Sequence, residues 1–383
     1  MRTGAVASRS PWVSSMAAAL SLLACTLERE PDPLADADLP SDASEVGDGD
    51  REVGHGADGK DGEDGEVDGD AARPIDATET TTDAVAPDLD VPCLDDDAAA
   101  PDLVIGRHYD LELADTVVSG ELIAVYDHSR WWKDPTDETT LALFDAGRFA
   151  DWPDDRSVVF VERSRVIRAT ESAVSAAPFR AWCLERGLGF AVPLDRPAWV
   201  MAGHERHHLE ENGFGDYAYD LGIAEAGGRR WSGDGLDLAD YWSWDVPAQS
   251  PVSGFVVEIE RDHPDLPVGL TPDLDAPENL VGLWLAGGYH AYTLHHRQGS
   301  LPTDLTAGDF VEVGAPLGRI GNSGTSLEPH LHVVLLFWDH TRDRYWSLPV
   351  DFHDVHVAAA PTGSEARLRV APPGGMWVSN APF

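Results

Sequence analysis

Two histidines, His330 and His332, stand one residue apart in the segment GNSGTSLEPHLHVV (321–334), where their type and spacing could support chemistry. On a β-strand, side chains at positions i and i+2 point to the same face, so the pair would project together while Leu331 turns into the core. Imidazole is both a common metal ligand and a general base. The pair alone is compatible with half of a metal site and with a polar pair on an ordinary strand.

The elements that would position this pair are short and β-like. Twelve of the 15 histidines lie between residues 204 and 356, and glycine-rich turns divide this region. Four segments have the composition of strands: GFVVEIERD (254–262), NLVGLWLAGG (279–288), HAYTLHH (290–296) and HLHVVLLFW (330–338). The second and third of them predict a hairpin across a Gly-Gly turn. The sequence therefore predicts a small, mostly antiparallel β domain.

The run GDFVEVGAPLGRIGNSGTSLEPHLHV (308–333) resembles the C-terminal signature of the lysostaphin-like (LytM-type) zinc metallopeptidases, which cleave peptidoglycan cross-bridges and stem peptides. WDVPAQSPVSGFVVEI (244–259) resembles the earlier strand pair of that family, and AYTLHHRQGS (291–300) its tyrosine-and-histidine strand end. The match covers roughly residues 200–352, in the same order. It implies a small antiparallel β-sheet peptidase domain, which we place at residues 200–360.

The resemblance also implies site residues. His332 and Asp220, the latter in YAYDLG, match metal ligands, and the implied metal is Zn²⁺. His330 matches the histidine that orients or polarises the attacking water and the scissile carbonyl. His295 matches the third active-site histidine of the family. Its neighbour His296 competes for that role but would alternate to the other face of a strand.

The first metal ligand departs from the family pattern. The family places a histidine four residues before the metal-binding aspartate, and Asp216 occupies that position here. The upstream run GHERHHLEENGFGDYAYD (203–220) offers substitutes, of which we expect His208 to be the ligand, with His207 second and Asp216 third. A zinc ion with three protein ligands keeps a fourth position for water.

The expected function is a zinc-dependent metalloendopeptidase that hydrolyses peptide bonds in bacterial cell-wall peptidoglycan. One alternative is a catalytically inactive relative that binds the cell wall or activates an amidase. Inactive members typically lose the aspartate and the histidines, which this chain keeps. A second alternative is an anchored β domain whose histidines are incidental.

Residues 101–199 give weaker signals and predict an α+β accessory domain. SVVFVERSRVIRA (157–169) has the composition of a strand, and APFRAWCLERG (177–187) has helical spacing with a glycine suited to a C-cap. No function can be read from this region. Residues 361–383 are expected to form a C-terminal tail.

Residues 1–25 predict a lipoprotein signal peptide. Arg2 and Arg9 precede an apolar run that is short for a membrane span, and Leu-Leu-Ala before Cys25 resembles a lipobox, with Cys25 as the acylated residue. A plain signal peptide is the alternative. Thr26 after the cysteine favours the outer membrane in lipoproteins of Gram-negative type, so we expect a lipid-anchored protein of the cell envelope, facing the periplasm or the exterior.

Residues 26–100 carry 25 acidic and 4 basic side chains, a net charge of −21. Such a segment cannot bury enough apolar surface to offset its ordering entropy, so it predicts a disordered acidic tether. A calcium site in DGKDGEDGEVDGD (58–70) is the alternative, because closely spaced carboxylates suit a hard cation.

The remaining residues, 101–383, have 43 acidic and 21 basic side chains, a net charge of −22. This charge argues against nucleic acid as a partner, because phosphate would be repelled. Peptidoglycan peptide is the expected substrate. Cys93 and Cys183 could pair in an oxidising compartment.

Overall fold

The computed structural model describes residues 103–131, 136–173, 178–204, 213–270 and 276–383. The predicted signal peptide, its Cys25 and the acidic tether lie outside these described residues. Among the described residues, no helix has the length and apolar character needed to cross a membrane.

An antiparallel sheet of five strands forms the first part of the described chain. Numbered in chain order, its strands are β1 (His108–Glu112), β2 (Val117–Asp127), β3 (Thr139–Phe144), β4 (Val158–Glu162) and β5 (Arg168–Glu171). Their order in the sheet is β4-β3-β2-β1-β5. We call this sheet the N-terminal sheet.

The prediction of one strand over 157–169 is wrong. The segment contains β4 and the start of β5, separated by a 3₁₀ turn at Arg163–Arg165, and these two strands occupy opposite edges of the N-terminal sheet. The β-branched residues of this segment correctly indicated an extended chain, but they do not show where the chain turns.

A second, larger antiparallel sheet contains eleven strands, and a pair of strands lies beside it. The larger sheet comprises β6 (Ala198–Ala202), β7 (Tyr219–Gly222), β9 (Gly254–Glu260), β10 (Leu280–Ala286), β11 (Tyr289–Leu294), β12 (Phe310–Val311), β14 (Leu331–Asp339), β15 (Arg344–Leu348), β16 (Phe352–Ala358), β17 (Glu365–Val370) and β18 (Trp377–Ser379). The separate pair is β8 (Pro247–Gln249) with β13 (Pro316–Arg319).

The order of the larger sheet is β12-β9-β10-β11-β14-β7-β6-β18-β16-β17, which puts β14 at its centre. One edge of β14 pairs with β11, and the other edge pairs first with β7 and then with β15. The mostly β, antiparallel fold that the sequence predicts is confirmed, as are the hairpin of β10 with β11 and the strands at β9 and β14.

Alternation along β14 separates two apolar layers. The odd-numbered residues Leu331, Val333, Leu335 and Phe337 join a large core that also holds side chains of the N-terminal sheet, including Phe144 and Phe160. The even-numbered Val334 and Leu336 join a smaller cluster on the opposite face with Ala218, Leu280, Tyr292 and Leu294. Two-residue periodicity places His332 on the face of this smaller cluster.

The predicted helix is present as α1 (Phe179–Glu185). It follows Pro178 and ends before Gly187, which has the left-handed φ of +68° that glycine adopts at low cost. Cys183 lies buried on this helix, and burial raises the pKa of its thiol. The proposed partner, Cys93, lies outside the described residues.

The predicted domain limits remain predictions. The division expected at residue 200 falls inside β6, and residues 361–383, expected as a tail, supply β17 and β18 to the larger sheet.

Candidate metal centre

Strand pairing brings the aspartate and one histidine together. In the register of β7 with β14, Asp220 lies directly opposite His332. The Asp220 Oδ1 atom is 3.3 Å from His332 Nδ1 and 3.2 Å from His330 Nε2. Both imidazoles therefore face the same carboxylate while Leu331 is fully buried in the core, as the HLH spacing predicts.

His295 joins this group through an unusual backbone conformation. Strand β11 ends at Leu294, which pairs with His332, so simple alternation would turn residue 295 to the opposite face. His295 instead has a left-handed φ of +65°, which is costly for a residue other than glycine. Its ring centroid lies 4.7 Å from that of His330 and 5.7 Å from that of His332.

Backbone carbonyls fix the tautomers of two of the histidines. His295 Nδ1 lies 2.8 Å from the Ser323 carbonyl, and His330 Nδ1 lies 2.8 Å from the Glu328 carbonyl. A carbonyl can only accept a hydrogen bond, so each Nδ1 carries a proton, and Nε2 is left as the nitrogen that can bind a metal ion or exchange a proton. Imidazoles held in this way are suited to bind a metal ion or to accept a proton.

The cluster fits a transition-metal ion by its donor set. Ring nitrogens of His295, His330 and His332 lie within 4.8 Å of one another, and all three residues are buried. Asp220 adds a buried carboxylate. Imidazole nitrogens with one carboxylate oxygen are ligands that zinc accepts. These four side chains could therefore hold such an ion.

The electrostatics of the cluster are dominated by Asp220. Burial alone would lower the pKa of His330, but the Asp220 charge and hydrogen bond outweigh it and raise this pKa to about 9. The cluster thus favours a positive charge beside Asp220, which either a protonated imidazole or a metal cation supplies.

His296 belongs to a different environment. It is fully buried, and its Nε2 lies 2.9 Å from Thr293 Oγ1. Burial, with a smaller effect of His295, lowers the pKa of His296 to about 3, so its ring stays neutral. The structure therefore groups His295, and not His296, with the other two histidines.

The identity of the first metal ligand stays a prediction. His207 and His208 lie outside the described residues. Asp216 is buried, and its charge adds to the rise that burial causes in the pKa of Tyr126 and partly opposes the burial that lowers the pKa of Arg344 to about 10. Among the described residues, the group whose ligand atoms lie within 4.8 Å of one another consists of the three histidines, and neither Asp216 nor Asp220 belongs to it.

Two glutamates near the cluster, Glu278 and Glu258, stand in no sequence pattern that would have predicted their position there. Glu278 Oε2 lies 3.3 Å from His295 Nδ1. Glu258 accepts a 2.8 Å hydrogen bond from the Tyr292 hydroxyl, on the sheet face that His332 shares. Burial raises the pKa of Glu258 to about 7; the Tyr292 hydrogen bond opposes this, and the charges of Glu260 and Glu278 add to it.

Replacement of Glu258 by glutamine should stabilise the protein at pH 8 by about 2–3 kcal/mol and have no effect near pH 4. The folded pKa of about 7 exceeds the ordinary 4.5, so the folded state binds this proton more tightly, and wild-type stability falls as pH rises through that window. Denaturant unfolding at pH 4, 6 and 8 measures the effect, with the exposed Glu312→Gln as control. A stability gain of equal size at every pH would contradict the assignment.

Comparison with known proteins yields structural likenesses only, since no family model and no curated protein matches the chain. A candidate glycyl-glycine endopeptidase lytM from Ruminococcus gnavus is 18% identical, with a TM-score of 0.28 over 44% of this chain and 60% of that one. Lysostaphin is 17% identical, with a TM-score of 0.27 over 43% of this chain and 52% of that one. The catalytic domain of the M23 protein EnpA from Enterococcus faecalis is 18% identical, with a TM-score of 0.25 over 42% and 94%.

These neighbours are of the lysostaphin and LytM type, the family that the sequence resembles. The chain spans 60% and 52% of the first two structures. At these TM-scores the likeness carries no argument about this chain, so the chemistry proposed below rests on the residues of the cluster.

Proposed function

We propose that this protein is a zinc-dependent metallopeptidase that hydrolyses peptide bonds in bacterial peptidoglycan. The observation that carries the proposal is the convergence of Asp220 with His295, His330 and His332 at one end of the central strands. Buried charged and polar groups of this kind are costly to assemble and are typical of functional sites.

Asp220 and His332 are the residues we assign to the metal, with His208 as the third ligand. The strand register, which places Asp220 and His332 on adjacent strands with facing side chains, supports the first two, and the choice of His208 rests on the family resemblance. When bound, zinc would supply a Lewis acid and lower the pKa of a coordinated water towards neutrality.

His330 and His295 are the residues we assign to proton handling. Each has its Nδ1 proton engaged by a backbone carbonyl, so the Nε2 atom is the one available to take up or return a proton. Their rings meet edge-on with centroids 4.7 Å apart, so one can serve the attacking water while the other stabilises charge on the scissile carbonyl oxygen. Glu278, near His295 Nδ1, would hold that ring in place.

The choice of peptidoglycan as substrate rests on the family resemblance of the HLH segment and on the sequence before it. A lipobox-like Leu-Leu-Ala-Cys and an acidic tether suit an enzyme held at the cell envelope, where its substrate lies. We therefore also propose that Cys25 carries the lipid anchor, most consistent with the outer membrane. One structural neighbour is described as a glycyl-glycine endopeptidase, which is a peptide-bond specificity of the same general class.

Metal analysis combined with a cell-wall digestion assay tests this proposal. We expect about one zinc per chain, and release of new amino termini from purified peptidoglycan that a chelator stops and zinc restores. A matched control is His353→Ala, because His353 lies outside the cluster and its ring nitrogen Nδ1 faces the exposed Asp354 carboxylate at 3.3 Å. Zinc binding without release of amino termini would instead favour the inactive, wall-binding alternative, and absence of zinc would contradict both the metal and the reaction.

A further inference from the structure

Tyr217 connects the N-terminal sheet to the chain segment that carries Asp220. Its hydroxyl accepts a 2.9 Å hydrogen bond from the Val125 amide and donates one of 3.1 Å to the Val125 carbonyl. Val125 lies in β2 beyond the stretch that pairs with β1, which ends at Glu121. The Tyr217 hydroxyl therefore pairs with the N–H and C=O of Val125, which in a wider sheet would pair with a neighbouring strand. Both residues are almost completely buried.

The same segment is fastened at a second place by Ser347 of β15. The Ser347 hydroxyl donates a 2.8 Å hydrogen bond to the Gly213 carbonyl, and it accepts one of 3.1 Å from the Tyr217 amide. The Ser347 carbonyl in turn accepts a hydrogen bond from the Tyr126 hydroxyl. The segment from Gly213 to Asp220 is thus bonded to β2 through Tyr217 and to β15 through Ser347. The bond between Ser347 and Tyr126 joins β15 to β2 as well.

Aromatic packing leaves little room for the segment to shift. The Tyr126 ring packs edge-on against Tyr217, with centroids 5.7 Å apart, and at a tilt against Trp346, with centroids 4.6 Å apart. Gly213 has φ +71°, and a Cβ atom built there would lie 2.9 Å from Trp346 and 3.1 Å from Tyr126. A larger residue would therefore clash with these rings.

Only two residues separate Tyr217 from Asp220, and β7 begins at Tyr219. Because peptide geometry transmits a shift over so short a distance, a displaced Tyr217 would move the Asp220 carboxylate relative to His332. β7 is a short strand, which pairs over three residues with β14 and over three with β6, so the placement of Asp220 also depends on the residues just before the strand.

We infer that Tyr217 is a positioning residue of the metal centre, and that the N-terminal sheet serves as the support against which the Asp220 segment is held. This inference rests on the proposed function for the role of Asp220 as a metal ligand. The inference gives residues 103–171 a role at the metal centre. The sequence alone had indicated no function for this region.

The test is the affinity of the full-length protein for zinc, measured by competition with a chromophoric chelator. Tyr217→Phe keeps the ring and removes the hydroxyl, and we expect zinc affinity to fall about tenfold, equivalent to about 1.4 kcal/mol. The visible spectrum of the cobalt-substituted protein should also change, because it reports the geometry of the ligands. Ser347→Ala, which removes the second fastening with a small change of volume, should act in the same direction if the tyrosine variant fails to fold.

Tyr289→Phe is the matched control. The Tyr289 hydroxyl lies 2.8 Å from Ser157 Oγ, so it also joins the N-terminal sheet to the larger sheet, and Tyr289 is fully buried. It lies at the start of β11, at the opposite end of that strand from His295. We expect this variant to lose stability while keeping zinc affinity and the cobalt spectrum unchanged.

The outcomes separate this inference from the proposed function. Wild-type zinc affinity in both Tyr217→Phe and Ser347→Ala, or an equal loss in Tyr289→Phe, would overturn the positioning role while leaving a working peptidase intact. If the wild-type protein binds zinc without cleaving peptidoglycan, the proposed function fails and the affinity comparison still decides the role of Tyr217. A wild-type protein that binds no zinc would overturn both.

Discussion

Alanine at position 332 is expected to remove both zinc and hydrolysis, whereas alanine at position 330 should remove hydrolysis and leave most of the zinc bound. His332 faces Asp220 across the strand pair, so its loss leaves too few protein ligands for tight binding. His330 is assigned to proton handling, and loss of such a group typically lowers the rate by a factor of about 10²–10⁴. Zinc content after dialysis and release of amino termini from peptidoglycan provide the two measurements.

Each variant serves as the control for the other, because both histidines contact the same Asp220 oxygen and both are buried. Circular dichroism should show an unchanged β-sheet content in each. Equal loss of zinc in the two variants would mean that His330 is a ligand as well, and the division of roles between them would be wrong.

A second large effect is expected at the first metal ligand. His208→Ala should lower zinc affinity by orders of magnitude, since Asp220 and His332 alone do not complete a zinc site. Asp216→Asn should leave zinc bound and reduce activity at most modestly. The Asp216 charge acts on Tyr126 and Arg344, so its removal should be felt in the free energy of unfolding more than in the metal.

Chelator competition on His207→Ala, His208→Ala and Asp216→Asn measures this difference, with His207→Ala as the neighbouring control. We expect that control to retain most of its zinc. Should Asp216→Asn alone lose the metal while both histidine variants retain it, the carboxylate is the ligand and the choice of His208 is wrong.

The parts of the fold that sequence predicted correctly depend on local periodicity. Alternation placed His330 and His332 on one face with Leu331 in the core, and glycine-rich turns located the β10–β11 hairpin. These features need only a few neighbouring residues, so the sequence contains the information directly.

The features that sequence did not reveal depend on long-range contacts or on special backbone geometry. The family resemblance named His295, but alternation along the strand points the wrong way there, because the left-handed turn that brings His295 to the cluster follows the strand end and has no glycine to mark it. The roles of Glu278 and Tyr217 depend on partners elsewhere in the chain, such as Val125, which is 92 residues from Tyr217. The residue pattern around one position does not show which distant residue it will contact.

The place of β18 in the larger sheet has a consequence for the order of folding. β18 lies between β6 and β16, and β6 is the neighbour of β7, which carries Asp220. That side of the sheet therefore lacks backbone partners until residues 377–379 dock, and the docking joins Trp377 to Trp199, which are 178 positions apart. Since closing such long loops costs entropy before any contact repays it, this half of the sheet should form late and slowly. A ribosome that has translated the HLH motif has thus made the histidine cluster before the chain can hold it in a finished sheet.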